Sequence, residues 1–298
     1  MKIENLLKKI EDTKSLTILD ENGKKLATLS ADDLFEVMGK KDSPEKLYSD
    51  IIEDKCSAVE IKNRAASLGV KKDARRGLYL LELEADISSN VKEQAAELLR
   101  ELYGTDKSAV ITDSGSHSLV LIHTMPLKKE TEQLKENAGK ALSMLNTELM
   151  IKLRVSYGSV AGELGDLLDS YREARFAMDV MKLFYEERLI ADYASLGIGG
   201  LVNDLSRKSC ERFLAECFGN KMHSRLNEEE LQMVTRCLEK DLNISETARE
   251  LYLHRNTLVY HLEKLQKKTG LDIRHFDDAM RLKLALMVEQ RHKKKGEQ

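Results

Sequence analysis

The chain has 298 residues and a formal net charge of −3, with 42% hydrophobic and 33% charged residues. That length predicts about two domains at roughly 100–200 residues each, with enough apolar content for real cores. No stretch approaches the ~20 apolar residues of a membrane span, and MKIENLLKKIEDTKS carries acidic residues and no signal-peptide apolar block; a cytoplasmic protein with no membrane partner is expected.

Four cysteines are present, Cys56, Cys210, Cys217 and Cys237. None forms a CxxC pair, and no histidine stands at ligand spacing, so they read as free thiols; no metal and no cofactor is expected. The charge is unevenly spread. From Asn243 to the end, twelve basic residues face eight acidic ones, whereas the rest of the chain is net acidic. A basic end on an acidic body suits a polyanion partner, although a solvated face reads the same way.

In chain order, residues 1–45 hold a short amphipathic helix pattern and then LTILDENGKKLATL. Asn22-Gly23 between two alternating runs signals a hairpin, in a segment too short for an independent sensor domain. Ser43-Pro44-Glu45 starts a helix that should run to about residue 66, with Gly69 ending it. Residues 46–76 are thus expected as a linker helix.

Residues 77–195 alternate in type. Strands are predicted at 78–83, 109–112, 119–123, 153–157 and 189–190, and helices at 91–103, 130–149 and 164–184. Asp113-Ser114-Gly115-Ser116 joins the second and third strands. Met178 and Met181 read as helix core, and His123 as a core or edge histidine. The order β-α-β-β-α-β predicts an α+β sheet domain of the ferredoxin-like kind. Helical patterns follow at 201–218 and 228–242, a connector over 196–242. A last domain, 243–298, holds helix patterns at 246–252, 255–269 and 277–291.

The strongest local signal is NISETARELYLHRNTLVYHLEKL. Ser245 can cap a first short helix that buries Ala248 and Leu251 on one face. In the second helix Leu258, Leu262 and Leu265 form a core stripe. Asn256, Tyr260, Lys264 and Lys267 then fall on the opposite side, with Thr257 and His261 on a flank and Arg255 in the first turn. Major-groove reading needs such a face: Arg pairs with guanine and Asn with adenine, while Thr, Tyr and Lys reach phosphates or thymine methyls. An ordinary helical pair with a polar outer face fits the pattern equally well. Tyr252 stands where such turns usually have glycine. A left-handed residue other than glycine costs roughly 1 kcal/mol, so the turn is expected to differ slightly.

The run LYLHRNTLVYHL, with TGLDI and RLKLAL after it, resembles the C-terminal helix-turn-helix of the PucR/CdaR family of bacterial regulators. The HRNT core at His254 to Thr257 and the following Tyr260 carry that likeness. The family often has arginine where His261 stands. The resemblance spans roughly residues 46–290 and extends to the family's GGDEF-like middle domain. It implies a transcription regulator that binds double-stranded DNA through Arg255, Asn256, Thr257, Tyr260, His261, Lys264 and Lys267. It also implies a homo-oligomer, a dimer at least, and a small-molecule effector of unassigned identity.

Two other readings stand beside it. One is a protein-interaction adaptor that reuses the helical fold. The other is a nucleotide cyclase, which would need a glycine-rich acidic turn in the central hairpin to hold triphosphate and a divalent metal. The turn here, Asp113 to His117, has one glycine and no Gly-Gly-Asp/Glu sequence. Glu84 and Asp86 are the only stand-ins for a first-strand carboxylate. The chain is therefore expected not to be an enzyme.

Overall fold

A computed structural model describes residues 15–19, 25–30, 42–83, 88–104, 110–115, 117–126, 128–218 and 226–296. The amphipathic N-terminal pattern, Asn22-Gly23, Glu84 and Asp86 lie outside them. The chain divides into two compact units, residues 1–152 with 159–171, and residues 153–158 with 172–298.

In the first unit β1 (Ser15–Leu19) and β2 (Lys25–Ser30) pair antiparallel, as the alternating runs predict. The expected linker helix is two helices, α1 (Pro44–Ile52) and α2 (Ala58–Leu68). The break has local causes. Asp54 takes a left-handed φ of 59°. Ser57 then opens a fresh helix with a capping box: its Oγ accepts from Glu60 N at 3.4 Å, and the Glu60 carboxylate accepts from Ser57 N at 2.8 Å. Gly69 ends α2 at a φ of 70°, as expected.

β3 (Arg76–Leu83) is buried along almost its whole length, as a run of apolar residues in mid-sheet should be. It pairs antiparallel with β5 (Ser118–Thr124), Leu80 opposite Val120, and β5 pairs with β4 (Val110–Asp113). Helix α3 (Ser89–Tyr103) buries Ala95, Ala96, Leu99 and Tyr103; α4 (Glu130–Leu149) buries Leu134, Ala138, Ala141 and Leu145. Both sets follow the helical repeat. Asn137 is buried in this core with its groups paired: Asn137 Nδ2 donates to Tyr79 Oη at 3.2 Å, and Tyr103 Oη donates to the Asn137 carbonyl at 2.8 Å. His123 is half-buried, its ring 5.5 Å from that of Tyr103.

In the second unit β6 (Leu153–Tyr157) runs parallel to β7 (Ile190–Asp192). Residues 159–171, of the first unit, hold a short 3-10 turn at Leu164–Asp166 that leads into α5 (Leu167–Phe184), where Met178 and Met181 are core. The strand and helix order is that of the expected ferredoxin-like domain. The expected helix 201–218 is two, α6 (Gly197–Asp204) and α7 (Arg207–Phe218), because Leu205 is extended at ψ 142°. Then come α8 (Glu228–Glu239), α9 (Ile244–Glu250), α10 (Arg255–Thr269) and α11 (Phe276–Gly296). No helix among the described residues is long and apolar enough to cross a membrane.

Candidate nucleic-acid interface

Helices α8 to α11 share one core. Met233, Val234 and Cys237 of α8 meet Ala248 of α9, Leu258, Leu262 and Leu265 of α10, and Ala279 and Leu282 of α11. Each fully buried leucine contributes about 1.5–3 kcal/mol, so α10 is held by its apolar stripe. Ion pairs fix its remaining freedom. Lys268 Nζ lies 2.6 Å from Glu230 on α8. Burial pushes the Glu230 carboxyl up, but Lys268 and the Asn227 backbone amide outweigh it, and the group sits below its ordinary value. Past Gly270, Asp272 accepts from Arg274 Nε and Nη2, both at 2.8 Å. The Arg274 guanidinium holds the Asp272 carboxyl below the usual carboxylate range.

The cap of α9 is Asn243, two residues earlier than the expected Ser245. Its Oδ1 accepts from Ser245 N and Glu246 N, both at 3.2 Å. Asn243 is extended at ψ 96°, as a cap must be, which leaves Ser245 inside the helix. The spacing of Asn243 and Glu246 is itself a capping signal. Ala248 is buried as expected, and Leu251 packs partly buried against the shared core.

The turn does not differ from the usual geometry. Tyr252 adopts a left-handed φ of 55°, as glycine would there. The extended residue that starts α10 is His254, whose Nδ1 accepts from Asn256 N at 3.3 Å. A histidine cap carries little sequence signal, because Ser, Thr, Asp and Asn are the preferred residues.

Arg255, Asn256, Thr257, Tyr260, His261, Lys264 and Lys267 are all exposed on α10. They share this helix opposite or beside the buried stripe. Among the described residues, none of their side chains makes a hydrogen bond or ion pair. Tyr260 and His261 meet edge to face, ring centres 5.8 Å apart. Lys268, the neighbour of Lys267, is tied to Glu230 instead. The face thus offers cations, amide and hydroxyl groups with no internal partner, on a helix whose other side is fixed.

The PucR C-terminal helix-turn-helix domain matches residues 231–288, and a GGDEF-like domain matches residues 53–180. Over these two regions the chain is similar to regulators of the PucR/CdaR family. The purine catabolism regulatory protein of Bacillus subtilis (strain 168) is 25% identical over 246 residues, 77% of this chain and 45% of its own length. The carbohydrate diacid regulator of Escherichia coli (strain K12) is 25% identical over 161 residues, 54% of this chain and 42% of its own. The chain spans about half the length of the curated relatives it matches. A solved structure, the regulator of polyketide synthase expression from Bifidobacterium adolescentis, is 14% identical. It covers 82% of this chain and 91% of its own, with a TM-score of 0.39.

The GGDEF-like region has a different kind of tip. In the β4–β5 turn the hydroxyls of Ser114 and Tyr171 are 2.5 Å apart, and Lys92 Nζ donates to the Gly115 carbonyl. Among the described residues no group of three or more His, Cys, Asp or Glu could hold a metal ion. The four cysteines are free thiols, Cys210 and Cys237 buried, Cys56 and Cys217 half-buried.

Proposed function

We propose that the chain is a cytoplasmic transcription regulator that binds double-stranded DNA with α10 in the major groove. One observation carries this: seven polar side chains stand exposed on α10 without a hydrogen bond or ion pair among the described residues, above a fully buried leucine stripe. Asn256 and Arg255 read base edges, with Tyr260 adding selectivity. Thr257, His261, Lys264 and Lys267 flank them as contacts to phosphate or thymine methyl. Residues 243–298 form the DNA-binding domain, 196–242 the connector and 77–195 the GGDEF-like domain, which serves as scaffold and not as an enzyme. Two protomers bind a two-fold related site, with their α10 helices about 34–36 Å apart. A small-molecule effector sets the activity.

The relatives named above as regulators support this reading by their names. The test is selection of bound fragments from genomic DNA by the full chain, followed by a salt titration on the best of them. Sequence-selective binding that weakens steeply with salt is expected. Failure to enrich any fragment overturns the proposal.

A further inference from the structure

The turn between α9 and α10 closes with two backbone hydrogen bonds. Leu253 N donates to the Ala248 carbonyl at 2.9 Å, and Tyr252 N to the Arg249 carbonyl at 3.1 Å. This Schellman arrangement requires a left-handed residue between the helix end and the next element. Helix α2 ends in the same way. Val70 N donates to Ala65 at 2.9 Å and Gly69 N to Ala66 at 3.4 Å, and Gly69 takes the left-handed position. Glycine adopts that conformation freely, whereas a tyrosine is strained there.

The two backbone hydrogen bonds hold the turn whichever side chain stands there, and among the described residues no side-chain contact of Tyr252 offsets the strain. Its side chain is 96% exposed. Among the described residues it makes no hydrogen bond and no ring contact, and it packs on no part of the shared core. The neighbouring Leu251 does pack there. Folding therefore gains nothing from an aromatic residue at this position and would be served better by glycine. Strain kept without a structural return belongs to function.

The position says which function. Tyr252 stands two residues before His254, the cap of α10, and three before Arg255. A recognition helix meets the base edges with its N-terminal residues while the helix before it crosses the backbone, so a side chain exposed on the turn between them is within reach of the groove edge. Its hydroxyl is one of the donors that proteins set against phosphate oxygens.

We infer that Tyr252 is a DNA-backbone contact, its hydroxyl donating to a phosphate at the edge of the groove that α10 enters. This rests on the DNA-binding reading above. The contact is independent of sequence, so it can be measured without knowing the operator.

The experiment compares the full chain with Tyr252→Gly and Tyr252→Phe on a fluorescein-labelled duplex of mixed sequence at low salt. Each protein's thermal midpoint is recorded alongside. Tyr252→Gly should melt no lower than the parent, because glycine fits the turn, yet bind about tenfold more weakly, in the range for a hydrogen bond to a charged group. Tyr252→Phe should bind as weakly as the glycine variant. Unchanged affinity in Tyr252→Gly overturns the inference. So does full affinity in Tyr252→Phe, which would leave the ring and not the hydroxyl as the contact. A lower melting point in Tyr252→Gly would show that the tyrosine serves the fold, and would overturn it as well. A parent that binds no duplex at all removes the DNA-binding reading itself. A parent that binds beside a glycine variant that binds equally removes only the role of Tyr252.

Discussion

The β4–β5 turn and the outer face of α10 both present polar side chains at the edge of a packed element, and they use them in opposite ways. At the turn two groups are taken up by neighbouring helices, the Ser114 hydroxyl by Tyr171 and the Gly115 carbonyl by Lys92. On α10 seven polar side chains stand open. The open face is not explained by a lack of opposite charge nearby. At the α8–α9 seam Arg236 pairs with Glu239 at 2.7 Å and with Glu250 at 3.5 Å, and Lys240 pairs with Glu250 at 2.5 Å. Of the carboxylates of this region, Glu250 and Glu230 pair between helices, and Glu263, exposed on α10 itself, pairs with Arg274 at 4.0 Å. Closed polar groups hold a fold. Open cations beside an amide and hydroxyls leave their hydrogen-bonding capacity to a partner.

The largest effect expected from breaking this contrast lies under the open face. Leu262→Ala removes a fully buried side chain from the shared core and should cost about 2–5 kcal/mol, seen as a lower urea midpoint. Asn256→Ala should do the reverse. It should leave the urea midpoint in place and weaken binding to a selected fragment by ~1–3 kcal/mol, measured by gel shift. A stability loss in Asn256→Ala as large as that in Leu262→Ala would erase the distinction between face and core.

The same contrast explains what could be read in the sequence. The leucine stripe at 258, 262 and 265 and the polar positions between its members follow from the helical repeat alone, because burial on one side dictates exposure on the other. The bounds of α10 and α4 were legible for similar reasons, each set by a long periodic run. Helix breaks were harder. Periodicity continues through Asp54 to Cys56, and only the Ser57–Glu60 capping pair marks the restart of α2. Leu205 carries no breaking signal at all, since an extended leucine looks like a helical one in sequence. The caps at Asn243 and His254 depend on backbone angles that residue type only biases. The local preference of Tyr252 opposes a left-handed turn, and two hydrogen bonds that close the turn override it. Pairing is harder to read: the helical repeat sets Lys267 opposite the stripe and Lys268 beside it, but not that Lys268 bonds to Glu230.

A smaller effect is expected at the closed tip. Tyr171→Phe removes one hydroxyl from the pair with Ser114 and should lower stability by about 0.5–1.5 kcal/mol. Binding to the fragment that reports on Asn256 should not change. A fall in affinity without a fall in stability would place the hairpin tip in the interface, and the two regions would no longer differ in kind.

The smallest effect concerns a closed contact at the far end of α10. Arg274 keeps the Asp272 carboxyl below its ordinary value of 3.8. A group whose folded value is depressed adds stability above its unfolded value, and that stability is lost as pH falls through the folded one. The parent should therefore lose part of its thermal stability as pH drops below about 4, where Asp272 takes up its proton. Asp272→Asn has no such proton to bind, so its acid limb should be shallower, from a lower starting midpoint at neutral pH. The gap should be modest, because Arg274 is about one-third exposed and water screens the pair. Equal acid limbs in the two proteins would mean that this pair, although closed in the structure, contributes no more to the fold than the open residues on α10.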